Sequence, residues 1–232
     1  MASSITAPQV VRWHASPNEN AFRQQAVDTI LGAAKTAIHE RGRFDIVLAG
    51  GGTPRRVYEA LRETATDWAA WHVYFGDERC LPENDAERNS RMANEAWLSH
   101  VAIPAAQIHP IPGEAGASIA AAVYAATLSD VGEFDLVLLG LGEDGHTASL
   151  FPGHDWGTAP EDTLPVFDAP KPPPERVSLS APRLSRARKV LFLVSGESKR
   201  QALTEWRSGK PLPAAAIRPA NGVDVLLSAD LL

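Results

Sequence analysis

One unit recurs along this chain and limits what it can fold into: a short, continuous apolar run that stops in a polar loop, often followed by helical spacing. It occurs as "FDIVLAGGGTPRRVYEAL" from Phe44, "WHVYFGDER" from Trp71, "FDLVLLGLGEDGH" from Phe134 and "KVLFLVSGESKRQAL" from Lys189; "GVDVLL" from Gly222 supplies one more run. Apolar runs that do not alternate with polar residues are buried on both faces. Strands of that kind belong to parallel sheets covered by helices on each side. Segment 19–41 carries Phe22, Ala26, Ile30, Ala33, Ala37 and Ile38 at three- and four-residue spacing, which predicts a helix ended by Gly42. A second helix is expected from Thr53 and Pro54 through Val57, Tyr58 and Leu61, and an alanine-rich one over 115–129. The expected fold is α/β: one doubly wound domain over residues 1–232, with a mostly parallel sheet and helices on both faces.

Two stretches break the pattern. Segment 159–180, "APEDTLPVFDAPKPPPERVSLS", has too many prolines for a helix and is expected to run over the surface, ending in a strand near Val177–Leu179. Segment 101–116, "VAIPAAQIHPIPGEAG", reads as a proline-punctuated crossover. Trp68, Trp71 and Trp97 sit in apolar patterns and are expected in the core. A chain of 232 residues with 44% hydrophobic and 22% charged residues can bury one sizeable core. No apolar run approaches the ~18 residues needed to span a bilayer, so no membrane role is expected. The net charge of −6 argues against a nucleic-acid partner. The single cysteine, Cys80, and the absence of a basic-plus-apolar leader at the start lead to an expected cytoplasmic location.

In an open parallel sheet, ligands bind beyond the carboxyl ends of the strands, so four loops are expected to line one crevice. The first, Gly50-Gly51-Gly52-Thr53-Pro54, offers unhindered backbone N–H groups at a helix start, suited to a phosphate; equally, it serves as a plain strand-to-helix turn. The second, Gly76-Asp77-Glu78-Arg79, packs three charges after a strand, each of which reads singly as a solvated loop residue. In the third, Asp144-Gly145-His146, a tight turn can bring a carboxylate to an imidazole that titrates near neutral pH. In the fourth, Ser195-Gly196-Glu197-Ser198-Lys199, the lysine can reach an anion held at the helix start or point to solvent. GxSxG, HExxH and cysteine clusters are absent, and His14, His39, His72, His100, His109 and His154 show no zinc-ligand spacing, so no metal is expected.

Taken in order, "LAGGGTP", "FGDERCLPENDAERNSRMANEAWL", "LLGLGEDGHTASLFPG", "PPPERVSLS" and "LVSGESKRQAL" are similar to the glucosamine-6-phosphate isomerase/6-phosphogluconolactonase family across nearly the whole chain. "TASLFPG" after His146 resembles the lactonase branch; the deaminase branch typically carries an Asn-Glu-Pro-type sequence there. Departures are Ala49 and Gly52, where the family often has Ser, and Glu87-Arg88-Asn89 in place of Asp-Ser-Asn.

The resemblance implies a Rossmann-like fold of the sugar-phosphate isomerase type. It also implies hydrolysis of 6-phospho-D-glucono-1,5-lactone without cofactor or metal, in a monomer or weak homo-oligomer whose partner is that small phosphorylated lactone. His146 would act as general base and Asp144 would orient it. Gly51, Gly52, Thr53, Arg79, Arg176 and Lys199 are the expected phosphate ligands, with Asp77 and Asn89 as further substrate contacts. An amino-sugar-phosphate isomerase/deaminase and a catalytically silent sugar-phosphate sensor are the rival readings.

Overall fold

The computed structural model describes residues 9–157 and 160–231. Seven parallel strands form the main sheet: β1 (Val11–Ala15), β2 (Phe44–Leu48), β3 (Trp71–Phe75), β5 (Ile108–His109), β6 (Leu136–Leu139), β9 (Val190–Val194) and β10 (Val223–Leu227). Their spatial order is β1-β10-β9-β6-β2-β3-β5. Every residue of β6, β9 and β10 is buried; β6 and β9 are wholly apolar, and the one charge in β10, Asp224, is paired with Arg12 and His14.

Among the described residues six α-helices connect the strands: α1 (Glu19–Arg41), α2 (Gly52–Leu61), α3 (Asn89–Ala96), α4 (Ala117–Thr127), α5 (Ala181–Ser185) and α6 (Arg200–Arg207). α1 keeps the boundaries its pattern predicts. The Asn18 side chain accepts from the Ala21 N–H at 2.9 Å, and Gly42, at φ 70°, closes the last turn. The alanine-rich helix is shorter than its pattern, because a 3-10 turn at Gly113–Ala115 precedes it. Trp71 and Trp97 are fully buried and pack against the partly buried Trp68 with ring centroids 4.8–5.7 Å apart, as expected of core residues.

The structure departs from the sequence expectations in three places. β1, at the sheet edge, and the two-residue β5 carry too little apolar signal to stand out. The proline-rich segment is not merely a surface run: Thr163–Val166 forms β7, which pairs antiparallel with β8 (Arg176–Leu179). The charged stretch after β3 is not a solvated loop either, since Asp77–Arg79 forms β4 on the other side of β8. A three-stranded antiparallel sheet, β4-β8-β7, thus stands beside the main sheet, joined to it where the Leu179 N–H donates to the Gly76 carbonyl at 2.8 Å. Glu78 is completely buried there: its backbone pairs with β8 and its carboxylate is enclosed by the N–H groups that open α3.

Candidate active site

The chain moves outward from β2 through β3 to β5, then returns to the other side of β2 with β6 and continues through β9 to β10. The connections leaving β2 and β6 therefore diverge, and a crevice opens at their carboxyl ends. A cleft of about 410 Å³ occupies this place, lined by all four strand-end loops through Gly50, Gly51, Asp77, Arg79, Gly142, His146 and Lys199. Phe151 and a fifth segment, with Lys171, Pro172 and Arg176, complete the wall.

At the β6 end the backbone folds back on itself. The Gly142 N–H donates to the His146 carbonyl at 2.7 Å, and the Gly145 N–H to the Gly142 carbonyl at 3.1 Å with Gly145 at φ 83°. That turn sets Asp144 Oδ1 2.5 Å from His146 Nδ1 and 3.1 Å from the His146 backbone N–H. A carboxylate at Nδ1 fixes the proton there and leaves Nε2 as the basic nitrogen. Burial raises the Asp144 carboxyl, but the charge and hydrogen bonds of His146 outweigh it, and the group stays below its ordinary value. The imidazole lies so close over Gly142 that an added Cβ would come within 2.6 Å of its Cγ and nearer still to Nδ1 and Cε1. Phe151 supports the ring from the side at 4.9 Å between centroids.

Asp77, buried, faces the cleft from β4; its Oδ1 accepts from Asn89 Nδ2 at 3.0 Å and its Oδ2 from Ser149 Oγ at 2.6 Å. Ser149 thereby ties the histidine loop to β4. Asn89, the first residue of α3, presses its amide on Gly50, where any side chain would collide with it. Glu78 anchors this corner: its carboxylate accepts the backbone N–H groups of Arg79 (2.8 Å), Asn89 (2.7 Å) and Ser90 (2.8 Å) and lies 3.4 Å from Arg88 Nε. It acts as the cap that α3 lacks at Arg88, and a helix start without its own capping side chain is the sequence signal that could have found it.

The expected anion ligands are placed unequally. Gly51, at φ 100°, precedes α2, and the N–H groups of Gly51 and Gly52 carry no hydrogen bond within the described residues. Tyr58 holds this loop by donating to the Ala49 carbonyl and accepting from its N–H, both at 2.9 Å. Gly52 lines a neighbouring hollow of about 340 Å³, which shares Gly51, Arg79 and Asn89 with the cleft. The Thr53 hydroxyl is directed to Ser195 Oγ at 2.6 Å, joining the β2 and β9 loops rather than lining the cleft.

Arg79 donates to the Glu87 carbonyl and keeps a buried Nε without a hydrogen-bond partner among the described residues. Lys199 lines the cleft and lies 3.7 Å from Glu143 Oε1. Arg176 is buried and donates to the carbonyls of Lys171, Pro172 and Pro173 at 2.9, 3.2 and 3.1 Å. Burial lowers its guanidinium despite the charge of Asp77. Lys171 and Phe151 were not among the expected site residues; Lys171 sits in a proline run that looked like mere connection. Among the described residues no group of three His, Cys, Asp or Glu could hold a metal ion, and no helix is long and apolar enough to cross a membrane.

Sheet order and cleft put the chain in the class of doubly wound α/β proteins that take small molecules beyond the carboxyl ends of a parallel sheet. Residues 17–226 match the family model of glucosamine-6-phosphate isomerases/6-phosphogluconolactonase. Over 197 residues the chain is 39% identical to a 6-phosphogluconolactonase of Synechocystis sp., covering 81% of each protein. Over 225 residues it is 37% identical to a 6-phosphogluconolactonase of Mycobacterium tuberculosis, covering 90% of this chain and 87% of that one. The crystal structure of 6-phosphogluconolactonase from Thermotoga maritima superposes with a TM-score of 0.87 at 29% identity, over 94% of this chain and 100% of the other. A monomeric glucosamine-6-phosphate deaminase, 21% identical with a TM-score of 0.81 over 95% of this chain and 98% of its own, shares the fold. The chain belongs to the glucosamine-6-phosphate isomerase/6-phosphogluconolactonase family.

Proposed function

We propose that the protein hydrolyses 6-phospho-D-glucono-1,5-lactone to 6-phospho-D-gluconate, the second step of the oxidative pentose phosphate pathway. The observation that carries this reading is the Asp144–His146 pair at a cleft bordered by Arg79, Arg176 and Lys199. The relatives named for this activity support it. The single cysteine suits a reducing cytoplasm, where the protein acts as a monomer or weak homo-oligomer.

His146 Nε2 takes a proton from water as the oxygen attacks the lactone carbonyl carbon. The oxyanion that forms needs N–H donors from the cleft wall, and that of Gly142 cannot serve because the His146 carbonyl already holds it. Collapse breaks the bond between the carbonyl carbon and the ring oxygen, and the imidazolium returns its proton to that oxygen. Asp144 keeps the ring in the tautomer this needs and steadies its positive charge. Asp77 and Asn89, bonded to each other, face the sugar hydroxyls. The substrate's phosphate lies toward the free N–H groups at the start of α2, with Thr53 holding that loop and the cleft cations around it.

The test is a coupled assay on freshly prepared lactone with 6-phosphogluconate dehydrogenase, corrected for spontaneous hydrolysis. His146→Ala is expected to lower kcat by about 10²–10⁴ with an unchanged melting curve. Near-parent turnover in that variant refutes the base assignment, and ammonia release from glucosamine 6-phosphate without lactone hydrolysis refutes the substrate.

A further inference from the structure

The rim of the cleft carries an ion arrangement that the proton-transfer step does not use. Glu143, half exposed beside Asp144, lies 3.7 Å from Lys199 Nζ. A hydrogen bond from Ser198, then the charges of Lys199 and Lys171, hold its carboxyl below the ordinary value. Glu143 thus answers to two lysines from different parts of the chain. Lys171 lines the cleft with an exposed side chain, and its ammonium makes no hydrogen bond or ion pair with the described residues.

The segment bearing Lys171 is held from beneath. Its ends are joined by the Ala169 N–H donating to the Pro174 carbonyl at 3.0 Å. Nε and Nη2 of Arg176 collect three successive carbonyls, those of residues 171 to 173. Only 6% of Arg176 is exposed, so most of its fork serves the backbone, while the lysine it supports presents a whole ammonium to the cleft.

We propose that Glu143 stands in for the anionic end of the substrate, and that Lys171 and Lys199 form an ammonium pair that exchanges this carboxylate for a dianion and so selects phosphorylated lactones. Lys171 is then a specificity-determining residue, and Arg176 a positioning residue that acts through the loop backbone. The exchange is favourable because an exposed ion pair such as Glu143–Lys199 is weak. A phosphate dianion offers twice the charge and several acceptor oxygens to both ammoniums. The inference rests on the lactonase reading for its substrate.

The experiment compares kcat/KM on 6-phosphogluconolactone with kcat/KM on unphosphorylated gluconolactone. Glu143→Gln removes the resident carboxylate without changing its shape. KM for the phosphorylated lactone and the inhibition constant of inorganic phosphate should both fall, about two- to five-fold. Lys171→Met should lower the phosphorylated-to-unphosphorylated ratio on the order of ten-fold or more. Arg176→Lys keeps the charge but not the fork, and should lower the ratio as Lys171→Met does, with little further loss in the double variant. Activity on the unphosphorylated lactone and a melting curve show that each variant is folded.

A Glu143→Gln variant with raised or unchanged KM, or a Lys171→Met variant with an unchanged ratio, overturns the ammonium pair. An Arg176→Lys variant with the parent ratio overturns the positioning role. If the parent protein hydrolyses no phosphorylated lactone, the lactonase reading fails by itself. Calorimetry with inorganic phosphate on the parent, Glu143→Gln and Lys171→Met proteins still decides the ammonium pair.

Discussion

Replacing Gly142 with alanine should disable the site without removing any functional group. The added Cβ would lie 2.6 Å from Cγ of His146 and closer still to Nδ1 and Cε1. Carbon contacts settle near 3.5–4.0 Å, so the imidazole must retreat by about 1 Å or more. That movement stretches the 2.5 Å contact with Asp144 past hydrogen-bonding range, releases the tautomer and moves Nε2 from where it meets water. Misplacement on this scale costs on the order of 10² in kcat. Gly142 has no positive φ, so alanine suits its backbone, and the turn bonds at 2.7 and 3.1 Å can persist. The overpacking is worth about 1–3 kcal/mol, or a melting point lower by several degrees, with the fold retained. Gly140→Ala is the control, since its Cβ meets nothing within 4 Å and leaves the ring in place. The coupled lactone assay across pH, run beside thermal melts, measures both. A Gly142→Ala protein with the parent kcat and the parent pH–rate profile would falsify the claim that ring position in this turn controls turnover.

Glu78→Gln places an amide where three backbone N–H groups converge, so about 1–3 kcal/mol of stability should be lost and KM should rise as Arg79 and Asn89 loosen; melting and steady-state kinetics check this. Tyr58→Phe leaves the N–H and carbonyl of Ala49 buried and unpaired, and a similar loss of stability is expected from denaturant unfolding, whereas an unchanged midpoint would mean that the loop finds other partners. Burial, then the charge of Arg43, keeps His72 below the ordinary imidazole value of 6.5; burial, His72 and Arg43 do the same for His109, stacked on it at 5.8 Å beside Tyr74 and Asp45. The unfolded chain binds these protons more readily, so the two residues' contribution is complete above pH 6.5 and is lost as pH falls through their depressed folded values. A His72→Gln/His109→Gln protein should show a shallower decline of melting temperature with acid, and an unchanged slope counts against these residues.

Most of the main sheet was legible because burial on both faces leaves a dense apolar run: β6 and β9 are wholly apolar, and β2, β3 and β10 are interrupted only by Asp45, His72 and Asp224. The smaller sheet was not, because β4 is charged and β7 contains Pro165, and their pairing through β8 depends on neighbours distant in sequence. The candidate site divides in the same way. Asp144 and His146 are two residues apart, so local turn chemistry makes their pairing visible. Asp77 meets Ser149 across 72 positions and Thr53 meets Ser195 across 142, which no local pattern announces.

By itself, then, the sequence determined the α/β architecture, the boundaries of the first helix, the convergence of four strand-end loops and the histidine–aspartate turn, all consequences of spacing within a few residues. Tertiary structure alone decided which charges were available for a ligand. Glu78 became a buried cap, Thr53 a link between loops and Arg176 a support for the strap that carries Lys171. The physical reason is that every polar group withdrawn from water must find a partner, and which partner is within reach is settled only when distant segments pack together.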